Sequence, residues 1–184
     1  INALIKELNY YEPGITRMIK YYTNNSAFET NEKLKEAVNL WCENQEECMK
    51  KYGHISYWDV SEITDMSNLF FSQYYFNEDI SRWDVSDVRN MEYMFFGCFN
   101  FNQSINNWYV SKVEKMDSMF FDCEIFNKPL NNWDVSHVKD MKSMFFYCHE
   151  FNQDISRWDV SNVEDMNCMF YGCYILEEYK PKFN

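Results

Sequence analysis

The apolar residues of the chain fall into columns that recur every 25 positions. Trp58, Trp83, Trp108, Trp133 and Trp158 mark the period. Val60, Val85, Val110, Val135 and Val160 stand two positions later, followed by Ile63, Val88, Val113, Val138 and Val163. Met66, Met91, Met116, Met141 and Met166 come next, then Phe70, Phe95, Phe120, Phe145 and Phe170. Cys98, Cys123, Cys148 and Cys173 recur at the same spacing, as do Phe76, Phe101, Phe126 and Phe151, each with an Asn after it. So many coincident columns specify an architecture while saying almost nothing about chemistry.

Within one unit the period of the pattern changes. In Ile80-Ser81-Arg82-Trp83-Asp84-Val85, Trp83 and Val85 share one face and Arg82 and Asp84 the other, as in a short strand. Val88, Met91, Met94, Phe95 and Cys98 then recur at three and four residues, the stripe of a helix. Ser86 precedes that stripe and suits a helix N-cap, and Ser111 with Glu114 and Ser161 with Glu164 have the spacing of a capping box. A unit this short cannot bury its own apolar face and must stack on its neighbours. The predicted fold class is therefore an α/β solenoid, a leucine-rich-repeat-like, right-handed stack of five strand–turn–helix units. A spacing of about 4.8 Å makes the stack about 25 Å long.

Such a stack needs covered ends. One helix is predicted over residues 30–51, with Leu34, Ala37, Val38, Trp41 and Cys42 on one face, Glu32 at its start and Lys50 and Lys51 at its end. Gly53 stops it. Ile1, Leu4, Ile5 and Leu8 form an earlier helical stripe, and Ile15, Met18, Ile19 and Tyr22 another, separated by Pro13-Gly14. The expected organisation is a helical N-terminal region and cap over residues 1–53, the five repeats over 54–176, and a polar C-terminal tail over 177–184.

Composition narrows the function. Hydrophobic residues at 46% support a sizeable core, and only 4 Gly and 3 Pro argue against a turn-rich sandwich. No apolar run is long enough to span a membrane. The chain opens Ile1-Asn2-Ala3-Leu4 with no initiator Met or basic leader, as expected of a processed or excised product. A net charge of −12 disfavours nucleic acid and anionic membranes, leaving a protein partner with a basic, neutral or apolar surface.

The string Trp83-Asp84-Val85-Ser86-x-Val88-x-x-Met91-x-x-Met94-Phe95-x-x-Cys98-x-x-Phe101-Asn102-x-x-Ile105 resembles the repeat of BspA-like leucine-rich-repeat surface proteins. It is closer still to the mycoplasma-type, or bacterial surface protein, repeat of unknown function. Tyr52-Gly53-His54-Ile55-Ser56-Tyr57-Trp58-Asp59-Val60-Ser61 looks like that family's usual lead-in, and the likeness covers about residues 52–176. The family occurs in bacterial surface proteins, large DNA viruses and protists. The resemblance implies a non-enzymatic scaffold for adhesion or partner binding, displayed on a cell or virion surface, and brings no catalytic residues or cofactors. Tyr109 stands where the pattern has Asp.

Each polar or aromatic column has a functional and a plain interpretation. The cysteines are 25 apart, apart from Cys168 with Cys173 and Cys42 with Cys48, so they lack the close pairs of a zinc site and are expected to be buried thiols. His54, His137 and His149 occupy different repeat positions and form no recurring Ser-His-Asp or Cys-His set. Asp59, Asp84, Asp134 and Asp159 suit turn-forming acceptors better than an acidic strip for calcium or a basic partner. The five Trp belong to the core rather than to a sugar-stacking platform. Asn24-Asn25-Ser26 and Asn102-Gln103-Ser104 fit the glycosylation pattern, but Asn102 belongs to a column expected to bond turns internally.

Two columns remain as candidate binding surfaces. Phe71, Phe96, Phe121, Phe146 and Tyr171 form either an outer apolar ladder or, if the helix ends near Phe95, part of the interior. Tyr57, Arg82, Asn107, Asn132 and Arg157 vary on the strand face, with Asp84 and Tyr109 beside them, and serve either recognition or no selected purpose. The first expectation is a protein-binding or adhesion scaffold. The second is an assembly component of a virion or cell envelope that packs through Phe96, Phe121 and Phe146. A homo-oligomer is compatible with both, and no metal site, cofactor or catalytic activity is expected.

Overall fold

A computed structural model describes residues 27–182. The helical stripes expected before residue 27, and Asn24-Asn25-Ser26, lie outside the described residues.

Two short helices replace the single one expected. Helix α1 is Asn31–Glu43, and the Thr30 hydroxyl caps it by accepting the Lys33 backbone N–H at 3.3 Å. Helix α2 is Gln45–Tyr52. Asn44 breaks the run between them: its N–H closes α1 on the Leu40 carbonyl, and its side-chain oxygen accepts the Glu47 N–H at 3.1 Å to open α2. Asn competes for backbone groups in this way, and the periodicity of flanking apolar residues does not reveal it. Leu34, Ala37, Val38 and Trp41 are buried as expected, but the break leaves Cys42 exposed and buries Cys48, whose thiol donates to the Ala37 carbonyl. Trp41 meets Trp58 edge-on at 6.0 Å, so the two helices cover the first repeat.

The strand–turn–helix unit does not form, and the expected α/β fold class is overturned. Among the described residues the only α-helices are α1 and α2, and there is no strand, only isolated parallel bridges joining Asp65, Asn90, Lys115, Asp140 and Asp165 in succession. Inside the expected helix, Tyr93 has φ 56° and Gly97 has φ 70°. A left-handed residue ends a right-handed helix, and here two stand four positions apart. Chained tight turns take the helix's place, with Met94 N–H on Met91 O, Phe96 N–H on Tyr93 O and Cys98 N–H on Phe95 O. The expected strand is likewise bounded by turns, Trp83 N–H on Ile80 O and Val88 N–H on Val85 O.

The pattern selected the right interior nonetheless. Met91, Met94, Phe95 and Cys98 are fully buried, because successive four-residue turns bring their end residues to one side at intervals of three and four, as a helix would. Trp83 and Val85 are buried and Arg82 and Asp84 exposed, as alternation requires with or without a strand. Few glycines do not prevent a turn-rich chain here. Asn68, Ser72, Tyr93, Ser118, Asp122, Ser143, Tyr147 and Cys168 take positive φ alongside Gly97 and Gly172.

Neighbouring repeats are tied by a row of backbone bonds at alternate residues, and by one in the reverse direction, such as Arg89 N–H on the Thr64 carbonyl and Glu114 N–H on that of Arg89. Met91, Tyr93, Phe95 and Gly97 donate to the carbonyls of Lys115, Asp117, Met119 and Phe121 at 2.8–3.0 Å, and the same four positions do so from Met66 and from Met116 and Met141 onward. The Trp83, Trp108, Trp133 and Trp158 indoles donate to Ile55, Ile80, Ile105 and Leu130 carbonyls in the preceding repeat. Inside, Phe70, Phe95, Phe120, Phe145 and Phe170 stack ring on ring at 5.3–5.8 Å. Beyond the last repeat, Ile175 is buried and the Tyr179 carbonyl accepts the Ile155 N–H at 3.0 Å, so part of the expected polar tail folds back onto the repeats.

Candidate interaction surfaces

The turn that replaces the helix decides where the Phe96 column lies. In the turn closed by Phe96 N–H on Tyr93 O, Phe95 points into the core and Phe96 lies at the surface. Phe96, Phe121 and Phe146 are half-buried by one another, while Phe71 at 43% and Tyr171 at 57% exposure end the row. Successive rings from Phe71 to Tyr171 lie 4.5–4.8 Å apart and within 21° of parallel. They form neither a freely standing ladder nor part of the interior, but a continuous apolar strip along one side of all five repeats. Tyr147, 39% exposed, widens the strip at 4.5 Å from Phe146.

A polar cluster that the sequence pattern did not reveal borders this strip. The Tyr93 ring lies 5.9 Å from that of Phe96, and its hydroxyl bonds with Asp117 and Ser118 of the next repeat. Asp117 is buried, and that burial, with Glu92 hydrogen-bonded beside it, pushes its carboxyl up to about 6. Lys115 lies 3.6 Å from Glu92. Neither Asp117 nor Tyr93 belongs to a repeated column, so no periodicity marks them.

The face carrying Arg82 and its equivalents is exposed, yet much of its polarity is engaged within the molecule. The Asn107 amide donates to the Ser81 carbonyl at 2.7 Å, and the Asn132 N–H donates to the Asn106 side chain at 3.0 Å. Asp84 accepts the Ser86 N–H, as Asp59, Asp134 and Asp159 accept from Ser61, Ser136 and Ser161. The Ser136 and Ser161 hydroxyls, and then those N–H groups, hold the Asp134 and Asp159 carboxyls below the usual range. The Asp column accepts backbone N–H groups at turns as expected, whereas Ser86, expected to cap a helix, instead donates its N–H to Asp84 and caps none. The Arg82 guanidinium lies 5.0 Å above the Tyr57 ring. Tyr109, 79% exposed, and Arg157 are left facing solvent.

The remaining polar columns are structural. Asn77, Asn102 and Asn127 each accept, through the side chain, the N–H of the Asn one repeat on, and Asn152 accepts from Leu176. Cys98, Cys123 and Cys148 are fully buried and unpaired, and their thiols donate to the Phe70, Phe95 and Phe120 carbonyls. Burial pushes all three thiols well up. His149 is exposed beside Tyr174 while neighbouring Cys148 is buried; His54 accepts the Ser56 N–H, and His137 lies near Ser136. A cavity of about 440 Å³ where α1 and α2 meet the first repeat is lined by Trp41, Cys42, Glu43, Tyr74, Tyr75 and Glu78 among others, without an imidazole. No group of residues suited to a metal ion occurs among the described residues, and no helix among them is long and apolar enough to cross a membrane.

The model of one family, described as Mycoplasma protein of unknown function, DUF285, matches residues 24–145 and 108–184. No curated protein and no solved structure matches the chain.

Proposed function

The chain belongs to that Mycoplasma family of unknown function, and we propose that it is a non-catalytic repeat scaffold that binds a protein partner through its surface aromatic strip. One observation carries the reading: the strip from Phe71 to Tyr171 is an unbroken stack of five rings at the surface. Contiguous apolar surface of this kind is kept in proteins mainly for association, and aromatic rings supply much contact area at little entropic cost. The partner presents a complementary apolar surface with a neutral or basic rim, since the chain carries a net charge of −12. The likeness of the Trp-Asp-Val-Ser repeat to BspA-like surface proteins supports display on a cell or virion surface and a role in adhesion.

The test compares the wild type with Phe96→Ser/Phe121→Ser and, separately, Tyr109→Ala/Arg157→Ala as immobilised baits against surface extracts of the source organism. A protein retained by the wild type and by Tyr109→Ala/Arg157→Ala, but lost from the Phe double variant while that variant stays folded, supports the reading. Equal retention by all three baits removes the strip from consideration.

A further inference from the structure

Carboxylates border the middle of the aromatic strip and not its ends. At the repeat position that holds Glu92 and Asp117, the other repeats carry Ser67, Lys142 and Asn167, so acid stands there only beside Phe96 and Phe121. Asp117 is buried and hydrogen-bonded to Glu92, whose side chain is 25% exposed and forms the outer member of the pair. The Tyr93 hydroxyl bonds with Asp117 while its ring lies 5.9 Å from that of Phe96, which joins the pair to the strip. Asp140 adds to the negative field at Asp117, and Lys115 opposes it from 3.6 Å away from Glu92. A further carboxylate follows Phe121 directly. Asp122 occupies the position at which, one repeat on, the Tyr147 ring lies 4.5 Å from that of Phe146. It is half-buried, and desolvation and then Glu124 push its carboxyl up while His149 pulls it down.

Ring geometry restricts what a cation can touch there. Phe96 and Phe121 are stacked on both faces at 4.5–4.8 Å, so solvent meets their edges, which carry the positive part of the ring quadrupole. A cation has no open ring face to occupy, and its binding falls to the bordering carboxylates. A side chain with an apolar stem and a charged head meets both surfaces at once. Arginine fits best, because its planar fork binds carboxylate oxygens in pairs and its guanidinium gives up water more readily than an ammonium group.

We infer that the strip receives an arginine-bearing segment of another protein, with the arginine stem across the edges of Phe96 and Phe121 and its guanidinium held by Glu92, backed by the more buried Asp117. Asp122 and Glu124 add to the attraction without being required for the contact. The inference rests on the strip being the binding surface, and it fixes both the charge of the partner and the repeats at which that charge sits.

The probe is the capped peptide Leu-Arg-Leu-Arg-Leu, compared with a control in which citrulline, which keeps the shape and loses the charge, replaces both arginines. Binding is followed near neutral pH by the amide chemical shifts around residues 96 and 121. The arginine peptide is expected to bind roughly tenfold more tightly than the control. Glu92→Gln and Asp117→Asn, each checked for folding by circular dichroism, remove most of that difference and leave the affinity of the control unchanged. Phe96→Ser/Phe121→Ser weakens both peptides. Equal affinity for the two peptides, or a preference for arginine that neither acid variant reduces, overturns the inference. If the Phe double variant still weakens both peptides in that case, the aromatic-strip reading stands. Affinity that the Phe double variant leaves untouched overturns both, and no binding of the arginine peptide overturns the inference. Dimers of the wild type that Phe96→Ser/Phe121→Ser dissolves also overturn it, by making the occupant a second copy.

Discussion

The rings of Phe96 and Phe121, 25 residues apart in sequence, lie face to face at 4.5 Å and 13° from parallel. Each covers one face of the other and leaves its edges in solvent. The contact therefore stabilises the stack modestly while leaving an apolar strip for a partner. Replacing both by Ser is expected to cost about 1–3 kcal/mol in total, well below the penalty for two core phenylalanines. Thermal unfolding with light scattering checks this. A folded variant whose mass is unchanged fits a strip reserved for a different protein. A wild type that self-associates and a monomeric variant favour the assembly role. A variant that unfolds outright would place Phe96 and Phe121 in the core.

Asn127 accepts two bonds from the next repeat, the Asn152 N–H at 3.1 Å and the Gln153 amide at 2.7 Å, while its own N–H is held by Asn102. Asn127→Ala leaves donors without an acceptor between stacked turns, at a cost of about 1–2 kcal/mol. Asn127→Asp keeps the acceptor oxygen and is expected to recover most of that loss. Equal destabilisation by the two in urea titrations would refute the bonding role.

Asp117 makes stability depend on pH in a direction unusual for a carboxylate. Its folded-state value lies at about 6, raised by burial and by Glu92, above the ordinary 3.8. Between about pH 4 and 6 the folded protein holds more protons than the unfolded chain, so this group's contribution falls as pH rises through that window. The effect is on the order of 1–2 kcal/mol. Asp117→Asn removes it, and the variant is expected to be more stable than the wild type at pH 7 and nearly equal to it at pH 4. A wild-type-minus-variant difference that is flat from pH 4 to 7 excludes the mechanism.

Thiol reactivity separates the cysteines. Cys168 is exposed and is expected to be alkylated first in the native protein. Cys98, Cys123 and Cys148 are buried, donate to carbonyls and hold their protons tightly, so they react only after unfolding. Cys42 is exposed as a residue, but desolvation and its neighbours Cys48, Glu43 and Glu78 raise its thiol to about 11, which slows it. Peptide mapping after timed iodoacetamide treatment gives the order, and early labelling of Cys123 would contradict it.

The sequence alone determined the repeat, its length and nearly all of its interior. The columns of Trp, Val, Met, Phe and Cys are the buried ones, because burial depends on which side of the chain a residue occupies, and any backbone that brings those residues to one side satisfies the pattern. It also determined that the Asp column serves turns, since Asp two residues before a donor N–H is a local arrangement. The backbone form was not legible. A spacing of three and four describes a helix and a run of tight turns equally well, and only the stacked structure selects the turns. There, left-handed Tyr93 and Gly97 are compensated by bonds from their own N–H groups to Asp117 and Phe121 in the next repeat. The same tertiary choice placed Phe96 at the surface and brought Tyr93 to Asp117. Each of these depends on what lies 24 or 25 residues away, and local periodicity carries no record of it.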